Sequence, residues 1–274
     1  MVFSKNEKVG VFGPRGTYTE AAALTVFDET HFKFYRTIEA VVNSVAKNIC
    51  EFGVVPIENS LQGSVTSTLD SLVNENIKVV GEILLPIAHV LATDLSERIT
   101  TIISHPQALS QCKSYINKNY PMAEVLAAAS TTEAALKVAG GIYENAAAIT
   151  SKRAAIKYQL KILDENIQDA ENNVTRFVIV GKELKKPTGN DKTSIVYGII
   201  NRPGVLFETL RPFAERNIDL TKIESRPSKK KFGDYIFFLD FGGHIEDKKF
   251  SDALEELKEL TSFLYILGSY PRAQ

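Results

Sequence analysis

Apolar runs and amphipathic stretches alternate along the first two-thirds of the chain. Short apolar runs predict buried strands, and stretches with apolar positions three or four residues apart predict helices that cover them. The predicted strands lie at 9–12, 52–58, 78–85, 100–105 and 124–129. The predicted helices lie at 19–27, 64–75, 107–116 and 132–140. This alternation is typical of a parallel or mixed sheet covered by helices, so the region is predicted to be α/β.

The pattern changes after a polar, charged segment at 182–192, which Pro187 and Gly189 interrupt and which is the best linker candidate. Beyond it the predicted order is strand, helix, strand, strand, helix, strand. These elements lie at 193–200, 203–217, 218–227, 231–243, 247–260 and 263–272. The order βαββαβ is that of the ferredoxin-like unit, so we predict a second, smaller domain.

The charge balance excludes some classes of partner. The chain has 32 Lys and Arg residues against 33 Asp and Glu residues, so nothing points to nucleic acid or an anionic membrane. No secretory signal is evident at the start, and no apolar run reaches the ~20 residues of a membrane helix. We therefore expect a cytoplasmic protein. The basic run of Arg226 and residues 229–231 is interpreted as a solvated hairpin.

Cysteine and histidine spacing gives no sign of a metal or a disulfide scaffold. Cys50 and Cys112 are far apart in the sequence, and reduced thiols are expected. The four histidines show neither HExxH spacing nor a pairing with cysteine, so no metal site is predicted. The glycine-rich segment GPRGTYTE matches neither GxGxxG nor the P-loop. The sequence thus indicates chemistry without a cofactor.

Several predicted helices begin in turns that suit an anion. Thr17 and Glu20, and likewise Ser130 and Glu133, have the spacing of a capping box, and Ser64 begins another helix. Helix N-termini present backbone N–H groups and the positive end of the helix dipole. Each turn alone is more often a structural cap. Together, after strands, they favour an anionic small molecule bound by N–H and hydroxyl donors.

Polar residues also stand at strand ends. Glu58 and Asn59 close an apolar run, where they either cap a loop or face a cleft. Asn173, Thr175 and Arg176 precede a further apolar run. They form either a polar turn or a hydroxyl and a cation at the mouth of a strand, where arginine can bind a carboxylate through two hydrogen bonds.

Seven segments of the chain together resemble the prephenate dehydratase family with a C-terminal ACT domain. They are, in order, GPRGTYTE, VVPIENSLQGSV, ISHPQALSQC, STTEAA, NNVTRF, NRPGVLF and ESRP. The resemblance covers nearly the whole chain. It implies a two-lobed catalytic region at 1–182, like the type II periplasmic binding proteins, with the second lobe inserted at about 86–165. The chain would return to the first lobe near Thr175, and an ACT regulatory domain would occupy 193–274.

The resemblance implies a carbon–oxygen lyase that decarboxylates and dehydrates prephenate to phenylpyruvate, on the route to phenylalanine. Because these losses make the ring aromatic, the driving force lies in the substrate, and the enzyme holds its conformation and assists the departing hydroxide. Thr175 would donate to the leaving hydroxyl, either by transferring a proton or by stabilising charge. The other implied catalytic residues are Glu58, Asn59 and Gln111. The implied substrate-binding residues are Thr17, Ser64, Ser130, Thr131, Arg176 and Phe177.

The C-terminal domain is implied to bind phenylalanine as a feedback inhibitor. The implied effector-binding residues are Asn201, Pro203, Gly204, Val205, Leu206, Glu224 and Ser225. ACT domains commonly pair with the ligand at the shared interface, so a homodimer or a tetramer of dimers is expected. The family's motif commonly reads GAL where this chain has Gly204, Val205 and Leu206. We expect this difference to alter effector affinity more than catalysis.

Two alternatives stay open. The chain could act on arogenate, the amino-acid analogue of prephenate, or it could be a non-catalytic amino-acid-binding regulator on the same two-lobed fold. The intact Thr175, Arg176 and Phe177 favour an enzyme over a regulator. Because no chorismate mutase helix bundle precedes Val9, the resemblance is to the monofunctional form.

Overall fold

The structure, a computed structural model, describes residues 3, 7–74, 77–94, 98–227 and 235–273. The predicted basic hairpin at 229–231 lies outside the described residues. The first part of the chain contains β1 (Val9–Phe12), α1 (Tyr18–Leu24), β2 (Phe32–Tyr35), α2 (Ile38–Ala46), β3 (Phe52–Asn59), β4 (Gly63–Ser64), α3 (Thr66–Asn74) and β5 (Lys78–Pro86).

The remaining elements continue in chain order. The middle part contains β6 (Val90–Thr93), β7 (Thr101–Ser104), α4 (Pro106–Gln111), α5 (Lys113–Asn119), β8 (Glu124–Ala127), α6 (Thr131–Ala139), β9 (Ala146–Thr150), α7 (Lys152–Lys157) and β10 (Lys161–Glu165). The last part contains β11 (Val174–Gly181), β12 (Asp191–Ile199), α8 (Val205–Glu215), β13 (Leu220–Pro227), β14 (Tyr235–Gly242), α9 (Lys248–Glu259) and β15 (Phe263–Pro271).

The described strands form three sheets, one for each of two lobes and one for the C-terminal domain. In the first lobe the order is β2-β1-β3-β11-β5, with β4 beside β3. The second lobe has the order β10-β6-β9-β7-β8, and the C-terminal sheet has the order β13-β14-β12-β15. The α/β class and the C-terminal βαββαβ order are confirmed. The helix predicted at 107–116 is divided at Cys112 into α4 and α5.

Strand β11 carries the chain back from the second lobe to the first. It lies between β3 and β5 and runs antiparallel to both. Its register sets Thr175 beside Asn59 of β3 and Leu85 of β5. Two predicted site residues from distant parts of the chain therefore occupy adjacent strands at one end of the sheet.

The C-terminal domain packs directly against the first lobe. Val178 and Val180 of β11 share one apolar cluster with Val196 and Phe238 of the C-terminal sheet. At Gly268 the contact is so close that an added Cβ would lie 2.1 Å from the carbonyl oxygen of Val79. The two sheets are therefore joined by a continuous hydrophobic core. In the described part of the chain, no helix combines the length and the apolar character needed to cross a membrane.

Candidate active site

A cavity of about 560 Å³ lies between the two lobes. Side chains from both lobes line it, with β3, β11 and the turn after β1 on one side and the starts of α4 and α6 on the other. Eight of the predicted site residues are among them: Thr17, Asn59, Ser64, Gln111, Ser130, Thr131, Thr175 and Phe177. The fold thus brings together residues that lie as far apart in the sequence as positions 17 and 177.

Both predicted capping boxes bring helix starts to the cavity, and in each the glutamate carboxylate bonds the N–H of the residue just before the cap, Gly16 or Ala129. The hydroxyl oxygen of Thr17 accepts a hydrogen bond from the backbone N–H of Glu20 at 3.3 Å. The hydroxyl oxygen of Ser130 accepts one from the N–H of Glu133 at 2.9 Å, and the Glu133 carboxylate accepts one from the N–H of Ala129 at 2.7 Å. These bonds fix the first turns of α1 and α6, whose remaining N–H groups have no partner within the helix.

The hydroxyl group of Thr175 is oriented by Asn59. The backbone N–H of Leu61 donates to Asn59 Oδ1 at 3.1 Å, which makes the other amide atom, Nδ2, the donor. Asn59 Nδ2 donates to Thr175 Oγ1 at 2.9 Å and to Asn173 Oδ1 at 2.7 Å. Among the described residues, Thr175 Oγ1 only accepts. Its own proton is therefore free to form a hydrogen bond with an oxygen atom in the cavity.

The hydrogen-bond network that begins at Thr175 and Asn59 extends through Asn173 to Gln111. Asn173 Nδ2 donates to Gln111 Oε1 at 3.2 Å, and His89 Nε2 lies 2.9 Å from the same oxygen. Gln111 Nε2 is buried and has no hydrogen-bond partner in the described part of the protein. Buried donors are nearly always paired, so this N–H group is available to an oxygen of a bound molecule.

His89 and Tyr18 complete the buried network but carried no distinctive motif in the sequence. Tyr18 Oη donates to the carbonyl of Ala88 at 2.6 Å and lies 2.9 Å from His89 Nδ1. Burial lowers the pKa of His89, although its hydrogen bond to Gln111 acts in the opposite direction. Burial, together with Cys112, raises the pKa of Tyr18. Both side chains are therefore neutral near pH 7.

The described residues that line the cavity include no acidic side chain and no lysine or arginine. His89 and His105 are the only histidines among them. His105 and the neighbouring Gln107 belong to the segment ISHPQALSQC but were not among the predicted site residues. An anion in this cavity would therefore be bound by hydroxyl, amide and backbone N–H donors, as the helix starts predicted.

The comparisons with known proteins agree with this architecture. The family model for prephenate dehydratase matches residues 9–185, and the model for the ACT domain matches residues 193–259. The chain belongs to the prephenate dehydratase family. It is similar to the prephenate dehydratase of Methanocaldococcus jannaschii, with 45% identity over 94% of this chain and 96% of the relative.

Two further relatives span nearly the whole chain. A bifunctional chorismate mutase/prephenate dehydratase of Aquifex aeolicus is 45% identical over 98% of this chain and 75% of its own length. A solved structure of prephenate dehydratase from Arthrobacter aurescens, in complex with L-Phe, is 33% identical. It aligns with a TM-score of 0.88 over 97% of this chain and 90% of that one.

Two predicted site residues, Arg176 and Glu58, are not among the residues that line the cavity. Successive side chains of a strand point to opposite faces, so Thr175 faces the cavity while Arg176 faces the C-terminal domain. There its guanidinium donates to Glu82 at 2.7 Å and Asp240 at 2.6 Å, and lies 3.5 Å from Glu58. We call this interdomain cluster the ionic layer; it comprises Glu58, Glu82, Arg176, Lys192, Lys222 and Asp240.

A second cavity, of about 410 Å³, lies in the C-terminal domain. Five of the predicted effector residues line it: Asn201, Gly204, Val205, Leu206 and Ser225. Pro203 and Glu224 are not among its lining residues. Glu224 lies on the other face of β13 from Ser225, and its carboxylate is 3.6 Å from Lys222 Nζ. The strand alternation accounts for Glu224, whereas Pro203 lies in the turn between β12 and α8.

Gly204 has a conformational reason to be glycine. It precedes α8 with φ +81°, ψ −11°, in the left-handed region that β-branched residues rarely adopt. The space around it is open, because an added Cβ would meet only Glu208 Oε1, at 4.0 Å. The constraint at this turn is therefore the backbone conformation and not a close approach of neighbouring atoms.

Proposed function

We propose that the chain converts prephenate into phenylpyruvate, carbon dioxide and hydroxide, as a carbon–oxygen lyase, with Thr175 assisting the leaving group. The observation that carries this proposal is the orientation of the Thr175 hydroxyl. Because Asn59 donates to its oxygen, its proton is free to form a hydrogen bond with the departing ring hydroxyl. Charge develops on that oxygen as the C–O bond breaks, so the hydrogen bond strengthens in the transition state.

Apart from the departure of the hydroxyl, the reaction needs little acid–base catalysis by the protein. The bond to the ring carboxylate breaks, its electron pair enters the ring, and the hydroxyl leaves from the opposite position. The aromatic product supplies the driving force, so the enzyme contributes by fixing the substrate's conformation. The starts of α1 and α6 and the free N–H of Gln111 are suitable donors for the two carboxylates.

The absence of Asp and Glu from the described cavity lining favours prephenate over arogenate. Arogenate carries an ammonium group where prephenate has a keto group, and burying an ammonium without an anionic partner is costly. Among the described residues lining the cavity, no Asp or Glu could pair with that ammonium. Turnover of the two substrates by the same preparation separates these alternatives, and we expect prephenate to give the higher kcat/KM.

Substitutions at Thr175 test the proposed role directly. We expect Thr175→Ser to keep much of the rate, and Thr175→Val to lose about 10²–10⁴ in kcat with a smaller change in KM. Thr150→Val is a matched control. Thr150 Oγ1 is buried without a partner among the described residues, and Thr150 does not line the cavity. This control should turn over prephenate at close to the wild-type rate.

Two results would count against a role for Thr175 in the chemical step. One is equal loss of activity in the Ser and Val variants, which would indicate a structural residue. The other is a Thr175→Val enzyme with near-normal kcat. Phenylpyruvate formation measured at saturating prephenate distinguishes these outcomes.

We infer that phenylalanine inhibits the enzyme by binding in the second cavity, and that the C-terminal domain pairs with that of another copy. The support for the effector is the cavity at Gly204 and Ser225 and the relative whose structure contains L-Phe. The support for pairing is the exposed apolar surface beside this cavity, where Ile200 and Phe207 are each 73% exposed and Ile223 is 47% exposed. Light scattering should then give a dimer or a tetramer.

A further inference from the structure

Strand β13 lies between the two cavities, with one face toward each. Ser225 lines the cavity of the C-terminal domain, and Lys222, on the opposite face, points to the first lobe. The two residues are three positions apart, which is about 10 Å along a strand. The regulatory domain therefore reaches the catalytic cleft through one short segment.

Lys222 contacts the cleft through Ser64. Its side chain is only 9% exposed, and its ammonium group donates a hydrogen bond to Ser64 Oγ. Two carboxylates also surround the ammonium, Glu58 at 3.4 Å and Glu224 at 3.6 Å. These partners fix the position of the lysine and keep its charge beside the strand β4 that carries Ser64.

This contact determines what the Ser64 hydroxyl can do. An ammonium group can only donate, so Ser64 Oγ accepts and its proton is free for an oxygen in the cavity that Ser64 lines. The nearby positive charge also makes the hydroxyl a better donor to an anion, in a cavity whose described lining residues include no Lys or Arg. In both pairs the hydroxyl oxygen accepts a hydrogen bond: Ser64 from Lys222, and Thr175 from Asn59. The hydroxyl proton of each is therefore free for a ligand.

We propose that Lys222 is a positioning residue, supplied by the regulatory domain, that orients the Ser64 hydroxyl toward a carboxylate of the substrate. The proposal rests on the proposed function, because it takes prephenate as the bound anion. It means that the substrate site is complete only when β13 is in place. Lys222 belongs to the ionic layer and does not itself line the cavity.

The test compares two lysines at the same interdomain surface. Lys222→Met removes the ammonium while keeping the apolar stem, and should raise KM for prephenate about tenfold with kcat within about threefold. Lys78→Met is the matched control, because Lys78 Nζ donates to the carbonyl of Ile266 across the domain contact at 2.6 Å but is remote from the cavity. Its KM should stay within about twofold of wild type. Lys222→Gln, which keeps a polar end for the two glutamates, replaces the Met variant if that one does not fold.

A double-mutant cycle with Ser64→Ala decides whether Lys222 acts through Ser64. The single Ser64→Ala change should raise KM by a similar factor, and adding Lys222→Met should then change it less than about twofold. An unchanged KM in the Lys222 variants would overturn the proposal, as would the same further tenfold loss in the Ser64→Ala background. If the wild-type chain does not convert prephenate at all, the proposed function fails, which is a separate result.

Discussion

At the scale of single residues, the neighbours Thr175 and Arg176 lie on opposite faces of β11 and have different contacts. Thr175 faces the cleft with a free proton, and Arg176 lies in the ionic layer on the other face. The Arg176 side chain is 8% exposed and bonded to Glu82, Asp240 and Tyr270. These contacts join the two domains, because Glu82 belongs to the first lobe while Asp240 and Tyr270 belong to the C-terminal domain.

We therefore predict that Arg176→Ala damages stability and not substrate recognition. Removing one partner of a buried ion pair leaves uncompensated charge, here on Glu82 and Asp240, and typically costs about 3–5 kcal/mol. Urea unfolding should show this loss, while the folded enzyme keeps a KM for prephenate near wild type. Arg211→Ala is a suitable control, since its ion pairs at 3.7 and 3.8 Å are exposed and should be worth less than about 1 kcal/mol. A large rise in KM without a loss of stability would contradict this prediction and would indicate that Arg176 binds the substrate.

At the scale of elements, the turn before α8 is the feature on which the proposed binding of the effector depends. Gly204 begins the helix in a left-handed conformation and lines the second cavity. Gly204→Val forces a β-branched residue into that conformation, at a cost of about 1–3 kcal/mol, or displaces the turn. We expect inhibition by phenylalanine to weaken markedly while turnover in its absence stays largely intact.

Gly189 offers a control with the same backbone constraint. It has φ +87° and open space around it, but it lies in the segment between the first lobe and β12, away from the second cavity. Gly189→Val should strain the chain comparably and leave inhibition unchanged. If both variants lose inhibition equally, general destabilisation explains the effect and the assignment of the effector cavity is wrong. The measurement is phenylpyruvate formation against phenylalanine concentration for each variant.

The sequence predicted the elements whose hydrophobic pattern is strong. The apolar run of β3, the capping boxes of α1 and α6 and the C-terminal βαββαβ order are all present. Strands β6 and β9 were not predicted, because runs such as Ala146–Thr150 are short and rich in alanine, and alanine is a poor marker of a strand.

Site residues could be predicted where they lie in a recognisable motif. The sequence could not predict which face of a strand each of these side chains occupies. Binding roles for Arg176 and Glu224 were implied by the segments NNVTRF and ESRP, but neither residue lines a cavity. Only the pairing of β11 with β5, and of β13 with β14, fixes which side chains face which cavity. His89 escaped notice because its role depends on contacts with Tyr18 and Gln111, which are distant in sequence.

At the scale of the whole molecule, the regulatory domain packs directly against the first lobe of the catalytic region. The continuous core, the close approach of Gly268 to Val79 and the ionic layer join the C-terminal sheet to the first lobe. A ligand that binds in the second cavity can inhibit only if it favours an arrangement with a less active cleft. Linkage then requires prephenate to weaken phenylalanine binding by the same factor as phenylalanine weakens that of prephenate.

The most direct measurement is the formation of phenylpyruvate from prephenate by the purified full-length chain, with and without phenylalanine. We predict one phenylpyruvate for each prephenate consumed, with no other substrate added, and a lower rate when phenylalanine is present. No conversion of prephenate would contradict the proposed reaction. Conversion at a rate that phenylalanine leaves unchanged would contradict the coupling of the second cavity to the cleft.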